Sequence, residues 1–314
     1  ATWIDRWAAF SPEKTAISCA SETLSYSAMA GEVEALAAGL QHRLGVKRGD
    51  RVACLDVNSP QLLVTLFACA RVGAIFLPLN WRLAAAEHRF MFEDCTPAAL
   101  FIGPDFIAQV AGERGKLAET MHLVAYDNDG GGFLSYDALL AEGRAAGAAR
   151  DEGTLFDAAL LCYTSGTTGR PKGAVLSQNA LTYAAINGTH MHDMRSTDLV
   201  LTTLPLFHVG GLNIQTIPAL HAGASVLLHS RFDPAATLAD IASHRPDLTV
   251  LVPAQLQAMM ACPEWGTTDL SCLRAISTGS TFVPVPLIEA IEARGIPMIQ
   301  VYGSTETAPA AVFQ

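Results

Sequence analysis

Short apolar runs alternate with stretches of helical periodicity through this 314-residue chain, and that alternation limits its fold more than any other feature. Arg51–Leu55 reads as a strand, residues 61–71 as a helix and 74–77 as the next strand. The same rhythm gives a helix at 84–94 and strands at 98–102 and His122–Ala125. Further on, helices are expected at 178–190, 234–243 and 284–294, and strands at 199–203, 224–228, 248–252, 273–277 and 298–301. Strands separated by helical segments pair in parallel, with the helices packed on the sheet faces. The expected fold class is α/β: two stacked, mainly parallel β-sheets with flanking helices. Residues 127–132 read as a turn, and the small, polar stretch 141–153 as a surface connection. The expected division is a first α/β subdomain over 1–155 and a second over 156–314.

Residues 163–173, Tyr-Thr-Ser-Gly-Thr-Thr-Gly-Arg-Pro-Lys-Gly, lie between two apolar runs, 158–162 and 174–176, that read as strands. Tyr163, Thr164, Ser165, Thr167 and Thr168 carry hydroxyls, while Gly166 and Gly169 let the backbone turn its N–H groups inward. Such a concave loop binds anions, and Lys172 adds a point charge. A Walker A loop is excluded, because Arg170 and Pro171 separate Gly169 from Lys172 and the residues that follow look extended. Ordinary turns use the same residue types; the whole ordered string favours a triphosphate cradle.

Two further places stand out. In residues 204–213, Leu-Pro-Leu-Phe-His-Val-Gly-Gly-Leu-Asn, His208 sits among apolar neighbours and two glycines. Alone, such a histidine is more often a hydrogen-bonded core residue. His190, His192, His221, His229 and His244 lack even this context and read as structural or surface residues. Ser-Thr-Gly-Ser-Thr, 277–281, and Val-Tyr-Gly-Ser-Thr-Glu-Thr, 301–307, each close a predicted strand, where open parallel sheets hold their ligands. Tyr302 offers a ring face for stacking, Gly303 a close backbone approach, Thr305 a hydroxyl and Glu306 a hard oxygen ligand.

Taken together, these segments resemble the signatures of the adenylate-forming enzymes: acyl-CoA synthetases, aryl-CoA ligases, luciferases and peptide-synthetase adenylation domains. The resemblance covers essentially all of the chain. It implies an ATP-dependent, AMP-forming carboxylic acid–CoA ligase, with ATP, Mg²⁺ and CoA as its reactants and cofactors. It also implies that Thr164, Ser165, Gly166, Thr167, Thr168, Gly169 and Lys172 hold the phosphates. Gly279, Ser280, Thr281, Tyr302, Gly303, Ser304 and Thr305 would contact the nucleotide, and Glu306 the metal. His208 would orient or gate the carboxylate, and with Lys172, Thr305 and Glu306 makes up the implied catalytic set. The family's form of 277–281 is usually richer in Gly, Ala and Pro, so Thr278 and Thr281 are departures. Family members continue into a β-rich subdomain, a ribose-holding Asp, a hinge and a small C-terminal domain bearing a catalytic Lys. Those parts are expected outside these 314 residues, which alone are expected to be inactive. Two other readings share the motifs: an adenylation domain that loads a carrier protein, and a nucleotide-binding remnant without catalysis.

Composition narrows the partners. Lys plus Arg is 20 against 30 for Asp plus Glu, a formal net charge of −10, with no basic run or aromatic–basic interleaving. Nucleic acid is excluded on that ground. Residues 62–79 are the most apolar stretch, but Arg71, Gly73 and Pro78 interrupt it, so it reads as a buried helix and strand rather than a membrane span. The seven cysteines are scattered without a Cys-x-x-Cys pair, which suits buried thiols in a reducing cytoplasm. The candidate acyl-pocket segments 207–214, 281–282 and 308–310 hold no Lys or Arg to pair with a second carboxylate. An apolar acid is therefore the expected substrate. The expectation is a soluble, cytoplasmic enzyme, and a homo-oligomer is compatible with it.

Overall fold

The computed structural model describes residues 2–127, 132–149, 153–165 and 170–314. Among them run β1 (Thr15–Cys19), β2 (Glu22–Ser25), β3 (Arg51–Leu55), β4 (Ile75–Pro78), β5 (Ala99–Ile102), β6 (His122–Ala125), β7 (Leu134–Ser135), β8 (Ala158–Thr164) and β9 (Lys172–Ser177). There follow β10 (Leu199–Thr202), β11 (Ser225–Leu228), β12 (Leu248–Val250), β13 (Ala275–Gly279), β14 (Met298–Gly303) and β15 (Ala310–Phe313). The strands form two sheets, one in each of two compact units: Ala1–Pro12 with Tyr26–Leu181, and Glu13–Ser25 with Thr182–Gln314.

The first unit's sheet has the order β7-β6-β5-β3-β4-β8-β9 and is parallel except where β8 meets β9. Four of five residues in β3 and all of β5 are buried, as in parallel strands covered on both faces. Helix Pro60–Val72 links β3 to β4. The Ser59 side chain accepts from the Leu62 N–H, Pro60 suits the first turn, and Gly73 ends the helix at φ 72. Helix Tyr26–Ala38 passes helix Tyr136–Ala146 so closely that a Cβ on Gly143 would lie 1.9 Å from the Ala35 carbonyl oxygen. The stretch expected as a surface connection is therefore helical as far as Ala146. Of its small residues only Gly143 is buried, where another helix backbone lies against it; Ala141, Ala145 and Ala146 are exposed.

In the second unit the order is β15-β14-β13-β12-β10-β11-β1-β2, parallel within and antiparallel at both edges. One core cluster joins Leu201 and Ile276 to Leu238 and Ile241 of helix Pro234–His244, Leu256 of Pro253–Met260, and Leu287 and Ile291 of Val285–Glu292. A second joins Val250 and Val301 to Leu204 and Ile214. Buried Asp198, just before β10, accepts two bonds at 2.8 and 2.9 Å from Arg274, just before β13. This pair fixes the starts of those strands and leaves their far ends to the loops.

The division differs from the expected one. β8 pairs with β4 through Phe76 and Leu160, so residues 158–181 complete the first unit rather than open the second. β1 pairs with β11, Ile17 opposite Val226, which draws residues 13–25 into the second unit. Long-range strand pairing, not chain order, sets both boundaries. β13 and β14 also run past their expected ends, to Gly279 and Gly303, and β15 follows. No helix among the described residues is long and apolar enough to cross a membrane.

Candidate functional site

In the first unit the candidate phosphate segment includes the end of β8 and the start of β9, which pair antiparallel. Tyr163 stands opposite Gly173 and Thr164 opposite Lys172. A Cβ on Gly173 would lie 2.6 Å from Leu161 Cδ1, so a larger residue there would make that leucine side chain shift. The Tyr163 hydroxyl donates to Asp94 Oδ2 at 2.6 Å, and burial together with that carboxylate pushes the phenol pKa up. Tyr163 is thus committed to a protein partner and serves as a strut rather than a phosphate donor. Thr164 Oγ1 donates to the Lys172 carbonyl at 3.4 Å, and Ser165 and Lys172 are exposed. Gly166, Thr167, Thr168 and Gly169 lie outside the described residues.

In the second unit, Gly279 stands opposite Val301, so the segments after β13 and β14 leave the sheet at the same edge. A Cβ on Gly279 would come within 2.2 Å of the Val301 carbonyl oxygen. Ser280 then adopts a left-handed φ of 68, which costs a side-chain-bearing residue roughly 1–2 kcal/mol. Thr281 is exposed beside it. Tyr302 is 75% exposed, so its ring stands out of the core with a face available for stacking. Gly303 meets the returning chain: a Cβ there would sit 1.7 Å from the Pro309 carbonyl oxygen. A 3-10 turn, Thr305–Thr307, follows, and the Ser304 N–H donates to Thr307 Oγ1 at 2.9 Å. Thr305 is half-buried in that turn and Glu306 exposed on it. Hydrogen bonds from its own backbone N–H and from Ser304 hold the Glu306 carboxyl below the ordinary glutamate pKa, so it is a settled anion. Among the described residues, no group of three or more His, Cys, Asp or Glu is gathered for a metal. Glu306 therefore suits Mg²⁺ as a single carboxylate sharing the ion with phosphate and water, which is this cation's usual habit.

His208 is exposed, with its ring centroid 5.8 Å from that of Phe207, and it precedes a helical run over 209–222 that includes a π turn at Leu212–Thr216. Gly211 lies where a Cβ would be 2.3 Å from the Pro205 carbonyl oxygen. A Cβ on Gly210 would be 4.0 Å from the Ser280 hydroxyl, so the histidine segment and the 277–281 segment meet. The structure thus gathers His208, residues 279–281 and residues 302–306 at one edge of this unit's sheet.

Beneath that edge lie polar residues to which the sequence reading gives no functional role: Gln215 goes unremarked, His192 reads as structural or surface, and Asn213 and Ser277 figure only as parts of their segments. His192, Asn213, Gln215 and Ser277 are all buried. The available signal was a pair of amides, Asn213 and Gln215, inside an otherwise apolar helical stretch.

The chain is similar throughout to curated CoA ligases. It is 52% identical to an indoleacetate–CoA ligase of Aromatoleum aromaticum, over 99% of this chain and 61% of that protein. It is 38% identical to a feruloyl-CoA synthase of an Amycolatopsis species, over 98% of this chain and 60% of that protein. The chain thus spans about three fifths of the length of these curated relatives. A solved fatty acyl CoA synthetase of Mycobacterium tuberculosis superposes with a TM-score of 0.86 at 27% identity, over 100% of this chain and 61% of that one. The family model for AMP-binding enzymes matches residues 4–314, and this chain belongs to that family.

Proposed function

We propose that this chain carries the nucleotide- and acid-handling part of an AMP-forming acid–CoA ligase whose substrate is a mainly apolar, aromatic carboxylic acid. The observation that carries this reading is the end of β14 and the turn after it, residues 302–306, where an exposed tyrosine ring, a glycine with no room for a Cβ, a half-buried threonine and a settled carboxylate come in close succession. Relatives named for indoleacetate and for a feruloyl ester support an aromatic acid. The substrate carboxylate attacks the α-phosphorus of ATP, the bond to the bridging oxygen breaks, and pyrophosphate leaves. The CoA sulfur, having lost its proton, then attacks the acyl carbon and AMP departs.

Most of the catalysis in such a step is positioning and stabilisation of phosphoryl charge. Thr164, Ser165, Gly166, Thr167, Thr168, Gly169 and Lys172 serve the departing pyrophosphate, and Thr305 the α-phosphate. The Tyr302 ring stacks on adenine, beside Gly279, Ser280, Thr281, Gly303 and Ser304, and His208 orients the acid. When bound on Glu306, Mg²⁺ neutralises phosphate charge. The place of action is the cytoplasm, where ATP and CoA are supplied. The test follows pyrophosphate and CoA ester together, using the protein at its natural full length with ATP, Mg²⁺, CoA and a panel of aryl and alkyl acids. Acid-dependent formation of both products supports the reading. Pyrophosphate without a CoA ester would remove CoA as the acceptor, and neither product with any acid would end the ligase reading.

A further inference from the structure

Beneath the proposed acid-handling edge runs a hydrogen-bonded chain whose direction can be read from one end to the other. His192 Nδ1 lies 2.7 Å from the Gly188 carbonyl oxygen, which only accepts, so Nδ1 carries the proton. Burial lowers the His192 pKa, so the ring is neutral and Nε2 keeps its lone pair. Ser277 Oγ, 2.8 Å from Nε2, must then donate to it. With its proton spent, Ser277 can only accept, and it does so from Gln215 Nε2 at 3.3 Å. The reverse amide orientation would set two acceptors face to face, so the orientation of Gln215 follows from the carbonyl of Gly188.

The chain ends on Gln215 Oε1, a buried acceptor without a partner. Nearby in sequence, Asn213 is equally buried with neither amide atom paired. Such atoms are a standing cost to the fold unless something donates to them. Their surroundings are apolar. Val250 and Ile299 flank Ser277 in the sheet register, and Ile214, Val301 and Phe313 extend the same cluster. Within it, Val252, Ile299, Ala310 and Phe313 are only partly buried. Gly279, two positions beyond Ser277, already belongs to the candidate edge.

Resting on the ligase reading above, we propose that Gln215 Oε1 accepts a hydrogen bond from an N–H or O–H on the ring of the acid. The protein thereby selects aromatic acids that carry such a donor over matched acids that lack it. An acid without a donor leaves the amide oxygen as unpaired as it was before binding, whereas a donor-bearing acid pairs it.

The test compares wild type with Gln215→Leu and Ser277→Ala at natural full length, each checked for an unchanged melting temperature. The probes are the positional isomers of hydroxyphenylacetate with their methyl ethers and phenylacetate itself, and a bicyclic aryl acid with a ring N–H with its N-methyl derivative. Acid binding is read by calorimetry and turnover by pyrophosphate release. Wild type should favour at least one donor acid over its donor-free match by about tenfold or more. Gln215→Leu should lose that preference while keeping the donor-free acids within about twofold, and Ser277→Ala, which releases the amide to rotate, should lose part of it. An equal preference in wild type and Gln215→Leu, or none in wild type for any probe, would overturn the proposal and leave Gln215 a structural residue. Discrimination in calorimetry without any CoA ester would uphold the donor site and count instead against the ligase reading.

Discussion

Lys172 and Glu306 are both exposed, and the chemistry proposed for each predicts a different kinetic signature. Lys172 meets phosphate charge that is present in bound ATP before any bond breaks. Its replacement by alanine removes a charge-assisted contact and should raise KM for ATP by about tenfold or more, with a smaller change in turnover. Steady-state kinetics check this, and an unchanged KM would separate Lys172 from the phosphates. Glu306→Gln keeps the shape and removes the anion. Its effect should appear in kcat, on the order of a hundredfold, with ATP binding little altered, because the charge it balances is greatest as pyrophosphate departs. Normal pyrophosphate release at saturating Mg²⁺ would exclude the carboxylate from that role.

Two glycines in the first unit's helices should respond to the same substitution with opposite sign. Gly143→Ala drives a methyl into the Ala35 carbonyl at the crossing of two helices and should cost about 1–3 kcal/mol. Gly112, in helix Ile107–Glu113, has nothing within 4 Å of its would-be Cβ, and Gly112→Ala should stabilise by about 0.4–1 kcal/mol. Denaturant midpoints measure both, and a shared sign would mean that the helix crossing is looser than described. The crossing also shows where the sequence was hard to read. Strands β3 and β5 were legible because burial on both faces leaves an unbroken apolar run. Helix Tyr136–Ala146 was not legible as a helix, since Gly143, which the crossing requires, and the small exposed residues beside it look like loop composition. The signature at 302–306 was legible because its chemistry is local. The chain from Gly188 through His192 and Ser277 to Gln215 was not, since its links join positions 85 and 62 residues apart. No local pattern marks such partners until the sheet brings them together.

Each unit holds one buried histidine with a depressed pKa, His88 in the first and His192 in the second. Burial is the leading cause at both, and the backbone carbonyls of Asn80 and Gly188 oppose it. In the unfolded chain both imidazoles take up protons as pH falls through about 6.5, whereas in the fold they resist until lower pH. The unfolded state then binds more protons, so stability is complete above that pH and declines below it. Denaturation midpoints should fall steadily from pH 7 to pH 5, and His192→Gln should flatten part of that fall. A profile already flat in wild type would mean that both rings accept protons within the fold.

The docking of β1 beside β11 also sets a timetable for synthesis. Ser225 Oγ donates to the Thr15 carbonyl at 2.7 Å across a separation of 210 positions. A ribosome adding about 5–20 residues per second needs roughly 10–40 s to cover that distance. Throughout that interval Ala16 and Ile17, fully buried in the finished protein, travel on the nascent chain without their parallel partner. The segments of the first unit are meanwhile made in full. β1 thus waits for β11 through the synthesis of nearly all of the first unit, and a chaperone that grips short extended apolar peptides would find its client there.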